Sequence, residues 1–302
     1  MDVLINILTD SFQEGLVWAI MALGIFISFR VLNFADLTSE GTLTLGAAIA
    51  AALIIKGVNP VLATLIAFLG GMFAGIITGL LHTKLKIPGI LAGIITMTGL
   101  YSVNLRVMGK ASLYIGENKT VFSYINMLFD DRALSKTVTA LLVVIIVFLI
   151  LYWFFGTEIG MSIRTTGMNQ KMSKSLGINT DLMIILGLAL ANGLVALSGS
   201  LIAQKMNSSN MDIGKGTIVI GLASIIIGEA IIGKKTFKVW LFAIIVGSFV
   251  YQLLIAIAIN LLGMNPNDLK LLQAILVAII LGTPLITKMI KDRKVNKELR
   301  SC

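Results

Sequence analysis

Ile159–Thr180 reads IGMSIRTTGMNQKMSKSLGINT, a polar island between two apolar runs, Val138–Phe155 (VTALLVVIIVFLILYWFF) and Leu182–Ala203 (LMIILGLALANGLVALSGSLIA). A helix needs about 20 apolar residues to cross the hydrocarbon of a bilayer, and both runs have that length. Arg164, Lys171 and Lys174 make the island too costly to place in hydrocarbon, so it is an aqueous loop joining two spans. It is also long enough to carry a short helix of its own. The same reading, carried outward in both directions, fixes the rest of the fold.

Composition agrees. The chain is 57% hydrophobic and only 13% charged, with a mean hydropathy of +0.96. A soluble protein of 302 residues would need far more polar surface, so the sequence specifies a polytopic membrane protein. The apolar runs do not alternate with polar residues as barrel strands do, which makes them helices. The 29 glycines suit helices that approach one another closely in lipid. A net charge of +9 would suggest nucleic acid in a soluble domain; here it is the lysine and arginine excess of cytoplasmic loops, and no nucleic-acid role is expected. The single cysteine, Cys302, leaves neither a disulfide nor a thiolate metal site.

About nine apolar segments can be read, near 12–30, 41–55, 60–81, 89–108, 137–156, 182–204, 216–232, 239–262 and 271–288. They form one transmembrane domain over 1–302, with the polar loop at 159–180 and a basic tail at 288–302. The first segment lacks a preceding basic region and a small-residue cleavage site, so it is expected to be a retained helix. The tail carries Lys288, Lys291, Arg293, Lys294, Lys297 and Arg300, which places the C-terminus in the cytoplasm. Counting back puts 233–238, the polar island and 82–86 inside. The loops 109–135, 205–215 and 263–270, and the N-terminus, then lie outside.

An internal repeat supports this order. Gly41–Ala48 (GTLTLGAA) lines up with Gly216–Ala223 (GTIVIGLA), each opening a short helix after a polar turn. The parity of the intervening spans makes the two copies run in opposite directions, as in inverted-repeat transporters whose pathway lies between the halves.

Catalytic chemistry has no foothold. The one histidine, His82, sits in a basic loop, and no HExxH motif or paired intramembrane carboxylates are present. Gly228–Lys235 (GEAIIGKK) nearly spells a P-loop, but it ends in lysine where a magnesium-binding hydroxyl is required, and it runs out of a membrane helix. No catalytic residue, cofactor or metal is expected. What remains is packing and a few polar groups. Gly71, Gly75 and Gly79 share one helix face, which permits close helix contact. Asn104, Asn192 and Glu229 are polar groups near or within spans, with Glu229 close enough to a helix end to reach water.

Three stretches carry a family resemblance. Val31–Gly41 (VLNFADLTSEG) resembles the Asn-Phe-Ala turn before the second helix of the branched-chain amino acid/ribose permease family of ABC importers. Gly160–Asn169 (GMSIRTTGMN), running on to Leu176-Gly177-Ile178, is similar to the family's loop that docks on the ATPase. Gly214–Gly233 resembles its glycine-rich second half. The wording of Val31–Gly41, with Tyr101–Gly109 (YSVNLRVMG), most resembles a branch often paired with lipoproteins that bind aromatic amino acids or related solutes.

The resemblance implies a multi-pass plasma-membrane permease in two inverted halves, working as a homodimer by alternating access. It would work with a separate ABC ATPase and an extracytoplasmic binding lipoprotein, in contact with membrane lipids. The imported solute would be small and organic, with an amino acid first among the candidates. Gly160, Met161, Arg164, Gly167, Met168, Asn169, Met172, Leu176 and Gly177 would form the coupling helix. Within it, Met161, Met168, Met172 and Leu176 would make an apolar side, Gly167 would allow close approach, and Gly177 would cap the end. Asn33, Asp36, Glu40, Asn104, Asn192 and Glu229 would lie along the translocation pathway. The rival reading is a secondary transporter driven by an ion gradient, which would call for more intramembrane carboxylates than the sequence offers.

Overall fold

The computed structural model describes residues 2–125 and 132–262, with scattered positions between 271 and 282. The helices are α1 (Asp2–Phe26), extended by a π-helical turn (Ile27–Val31), then α2 (Thr38–Ile55), α3 (Pro60–Thr83), α4 (Gly89–Met108), α5 (Val121–Ile125) and α6 (Arg132–Phe154). They continue with α7 (Glu158–Met168), α8 (Gln170–Ser175), α9 (Thr180–Met206), α10 (Thr217–Ile231) and α11 (Phe237–Leu262). Among the described residues, seven helices are long and apolar enough to cross a membrane, and Thr217–Ile231 is a shorter apolar one. The first eight expected segments fall on these helices; the ninth, 271–288, and the basic tail lie outside the described stretches.

α1 and α9 are buried on nearly all sides, whereas α4 and α6 keep most of their surface exposed. A helix that is apolar all round suits both settings, protein core and lipid, which is why the pattern alone cannot rank them. The α3–α9 seam is close along its whole length: a Cβ on Gly71 would strike Asn192 O and the Ala196 methyl, one on Gly75 would strike Leu188 O, and one on Gly79 would strike Ile185 Cα. Residue numbers fall along α9 as they rise along α3, so the two helices are antiparallel and their backbones touch. Lipid tails are as apolar as leucine, so close packing of this kind, rather than water exclusion, holds such helices together. Interhelical hydrogen bonds add to it, from Ser198 Oγ to Val17 O at 2.8 Å, Ser248 Oγ to Gly15 O at 3.0 Å and Gln204 Nε2 to Thr64 Oγ1 at 2.8 Å.

The loops sort to two ends. At one, Phe34 packs edge-on to His82, Arg164 stacks over Phe237 and Arg30 pairs with Glu229, so the connections 32–37, 84–88, 155–179 and 232–236 lie together. At the other, β1 (Ser112–Tyr114) pairs antiparallel with β2 (Ser208–Asn210), and Val121 N donates to Gln204 Oε1 at 2.9 Å. This small ribbon departs from a purely helical expectation; three-residue strands with no repeat leave no readable trace in sequence. The repeated helices start next to each other, with Gly216 N donating to Glu40 Oε1 at 3.0 Å. They end apart, α2 beside Ile115 at the ribbon end and α10 beside Arg30 at the other. They run in opposite directions, as the repeat requires.

Candidate functional site

The segment between α1 and α2 is the first thing the sequence builds unusually. At its entry the helix widens, with Leu32 N bonding to Ile27 O at 2.9 Å and Phe34 N to Ser28 O at 2.8 Å. Asn33 then takes a left-handed φ of 52°, a conformation that asparagine tolerates better than branched residues. Its side chain is exposed. The turn delivers Asp36 into full burial.

A buried acidic residue requires donors, and here the neighbours supply them. Asp36 Oδ1 accepts the Thr38 N–H at 2.9 Å, which ties the turn to the start of α2. Asp36 Oδ2 accepts from Asn192 Nδ2 at 2.6 Å, and Thr42 Oγ1 donates to Asn192 Oδ1 at 2.9 Å. The chain of polar groups continues from Thr38 Oγ1 to Thr78 Oγ1 at 2.8 Å and on to Thr96 Oγ1 at 3.0 Å. It therefore joins α2, α3, α4 and α9. The sequence named Asp36 and Asn192 but missed Thr38, Thr42, Thr78 and Thr96. Their signal was available: threonines recur on faces that an all-round apolar helix would otherwise fill with aliphatics.

One turn further along α2 a cavity of about 300 Å³ opens, lined among others by Glu40, Thr44, Met97, Tyr101, Asn104 and Met211. Its floor is made by the 211–216 segment, which leaves β2 and returns to the start of α2. Gly214 makes that approach possible, since a Cβ there would collide with Glu40 O, and Gly216 takes a φ of 85° that disfavours side chains. Asn104 Nδ2 donates to Gly41 O at 3.1 Å, while Asn104 Oδ1 is buried with no donor among the described residues. Glu40 and Asn104 thus share one wall. Glu229 is elsewhere: it accepts from Arg30 Nη2 at 2.7 Å and Trp240 Nε1 at 2.9 Å, clamping α1, α10 and α11 at the opposite side of the bundle.

The polar island forms two helices rather than the single one expected over Gly160–Ile178. Asn169 divides them: its backbone is extended, and its side chain accepts the Met172 N–H to cap α8. The apolar residues still stand outward, with Met161 48%, Met168 86%, Met172 60% and Leu176 65% exposed. Gly177 follows the C-cap with a φ of 80°. Two residues turn inward instead. A Cβ on Gly167 would meet Val31 O and Leu32 Cα, so α7 lies directly on the π-helical turn, and Arg164 sits 4.6 Å from the Phe237 ring centroid. Gly160 likewise packs on Phe154 and Phe155. Among the described residues no cluster of His, Cys, Asp or Glu could hold a metal ion.

Known proteins are similar to this chain in sequence and in fold. The chain is 44% identical to the tyrosine transport system permease protein of Clostridioides difficile (strain R20291), over 93% of this chain and 90% of that one. It is 24% identical to the ribose import permease of Escherichia coli (strain K12), over 90% and 84% of the two chains. A solved ABC transporter of the metal-chelate type, in an inward-facing conformation, superposes with a TM-score of 0.52 at 18% identity, covering 93% of this chain and 84% of that one, and shows the shared fold. The family described as branched-chain amino acid transport system, permease component, matches residues 7–282. The chain belongs to that permease family of ABC transporters: it is a multi-pass plasma-membrane transport component and not itself an enzyme.

Proposed function

We propose that this permease forms the translocation pathway of an ATP-driven, binding-protein-dependent importer of amino acids, with aromatic ones first. The amino-acid reading rests on the tyrosine transport relative. In this reading two copies of the chain face each other, a lipoprotein delivers the solute at the ribbon end, and an ABC ATPase docks on the polar island at the other. The N-terminus is outside and the basic tail inside. The family assignment weighs against the ion-gradient alternative.

The observation that carries the ATPase docking is the outward exposure of Met161, Met168, Met172 and Leu176, with Ile159 beside them, on a loop between two spans. Burying one such side chain at an interface is worth about 1.5–3 kcal/mol, and methionine adapts to irregular grooves. α7 rests on Val31 and Leu32 through Gly167, so a force on this face reaches the turn before α2 and, through Asp36 and Thr38, the helix that lines the cavity. Replacing Met168 and Met172 together by Glu should leave the protein inserted and monodisperse. ATPase co-purification and amino-acid uptake should both fall by at least about tenfold, the equivalent of about 1.4 kcal/mol. Unchanged uptake and co-purification would remove this docking role.

A further inference from the structure

We propose that the cavity beside the start of α2 is a site for a primary ammonium group, held by Glu40 and Asn104, with the organic part of the ligand against Met97, Tyr101 and Met211. This deepens the importer reading above and rests on it for the identity of the ligand as a transported solute.

The carboxylates at membrane depth provide the contrast. Glu14 is paired with Lys205 at 2.7 Å, Glu229 with Arg30 at 2.7 Å, and Asp36 is satisfied by Asn192 and the Thr38 N–H. Glu40 has no cation partner among the described residues. One of its oxygens takes the Gly216 N–H, and the cavity wall holds the rest of the carboxylate. A carboxylate in the first turn of a helix is favoured by the helix dipole, and bonding to Gly216 gives it a structural use. Neither accounts for Asn104. That side chain is 1% exposed; its amide nitrogen is committed to Gly41 O, which fixes the oxygen as the outstanding atom, and among the described residues this oxygen has no donor. A buried acceptor left empty costs about 1–3 kcal/mol, and native proteins seldom carry such groups without a use.

Glu40 and Asn104 both line one cavity, whose lining cation, Lys215, is already ion-paired to Asp212. The missing complement is a compact positive group with several N–H donors. A primary ammonium has three and no acceptor. Met97, Tyr101 and Met211 make the rest of the lining mostly apolar, with the Thr44 and Thr98 hydroxyls among them, and about 300 Å³ suits one small organic molecule. A carboxylate-bearing solute without an amine would meet Glu40 with a like charge.

The test uses the full chain in lipid nanodiscs and needs neither ATP nor transport. In a Cys302→Ser background, Thr98→Cys places a thiol on the cavity lining. A cationic methanethiosulfonate should label it about tenfold faster than an anionic one of similar size, as a single nearby carboxylate supports. L-Tyrosine and tyramine should slow labelling, whereas 3-(4-hydroxyphenyl)propionate, which lacks the amine, should not. Glu40→Gln keeps an oxygen for the Gly216 N–H but removes the charge, and should abolish both the charge preference and the amine-dependent protection. Labelling of Lys119→Cys, outside the cavity, should be unaffected by Glu40→Gln and reports that the fold persists. Equal protection by the des-amino compound, or an unchanged pattern in Glu40→Gln, overturns the site. Amine-selective protection in a protein that supports no ATP-driven uptake leaves the site standing and defeats the importer reading instead.

Discussion

Gly70→Ala and Gly71→Ala, adjacent substitutions in α3, isolate the contribution of the α3–α9 seam. Both gain whatever helix propensity alanine offers, up to about 1 kcal/mol. Both lie at nearly the same depth, so those terms cancel in the difference. At Gly70 the new methyl meets Ile49 Cδ1 at 2.7 Å, the far end of a flexible side chain that can rotate away. At Gly71 it meets the Asn192 carbonyl oxygen at 2.5 Å together with the Ala196 methyl, and backbone cannot turn aside. A relaxed carbon–oxygen contact lies near 3.3 Å, so the helices must separate by about 0.8 Å. A gap of that size forfeits about a quarter to a half of the dispersion energy across the seam, and overpacking of this kind costs about 1–3 kcal/mol. Asn192 also holds Asp36, so the displacement strains that hydrogen bond as well. Gly71→Ala should therefore unfold about 1–3 kcal/mol more easily than Gly70→Ala. Unfolding in mixed micelles by titration with dodecyl sulfate, followed by fluorescence of Trp18, Trp153 and Trp240, measures it. Coincident midpoints would refute backbone contact at this seam.

Two further outcomes follow from the same structure. Asn192→Leu strips Asp36 Oδ2 of its 2.6 Å donor and should cost about 3 kcal/mol in the same titration, part of which Asp36→Leu should restore by removing the stranded carboxylate; wild-type stability of Asn192→Leu would show that the knot is not holding α2 to α9. In intact cells carrying Cys302→Ser, Lys119→Cys should react with a membrane-impermeant thiol reagent, and Lys171→Cys only after permeabilisation. The reverse pattern would invert the orientation proposed from loop charge.

Much of this architecture is legible in the chain because hydrophobic length is a strong signal in a bilayer, where a helix must satisfy its own backbone. Eight expected segments coincide with helices, and the spacing of Gly71, Gly75 and Gly79 correctly announced a close contact, though not that α9 would be its partner. Less legible was anything depending on which polar group meets which. Asp36 and Asn192 are 156 positions apart, and only the fold reveals that one satisfies the other. Glu229 was grouped with pathway residues, yet the structure turns it to Arg30 and Trp240; a glutamate near a helix end reads the same whether it faces a cavity or clamps a corner. Helical periodicity carried straight through Asn169, where a side-chain cap breaks the helix in two. Gly167 reads in sequence as allowing close approach, and the structure makes that approach to Val31 and Leu32 of the same chain. A small residue announces close approach without saying to what.

That last contact bears on how a drive surface at one end could act on a cavity deeper in the bundle. The intervening piece has to move as a unit, since a compliant loop would absorb the displacement. The 31–42 segment has the right construction. Its start is seated under α7 at Gly167, its middle is locked by Asp36 to the Thr38 N–H and to Asn192, and its far side presents Glu40 to the cavity and to the Gly216 N–H. A buried acid with every bond made resists bending, because any shear leaves an acceptor without its donor at a cost of about 1–3 kcal/mol. Beside the segment's cavity end, at Gly41, α4 sets Asn104, whose buried Oδ1 has no donor among the described residues. Stiffness along the turn and an unfilled bond beside its tip are what a relay between an external push and a solute site requires.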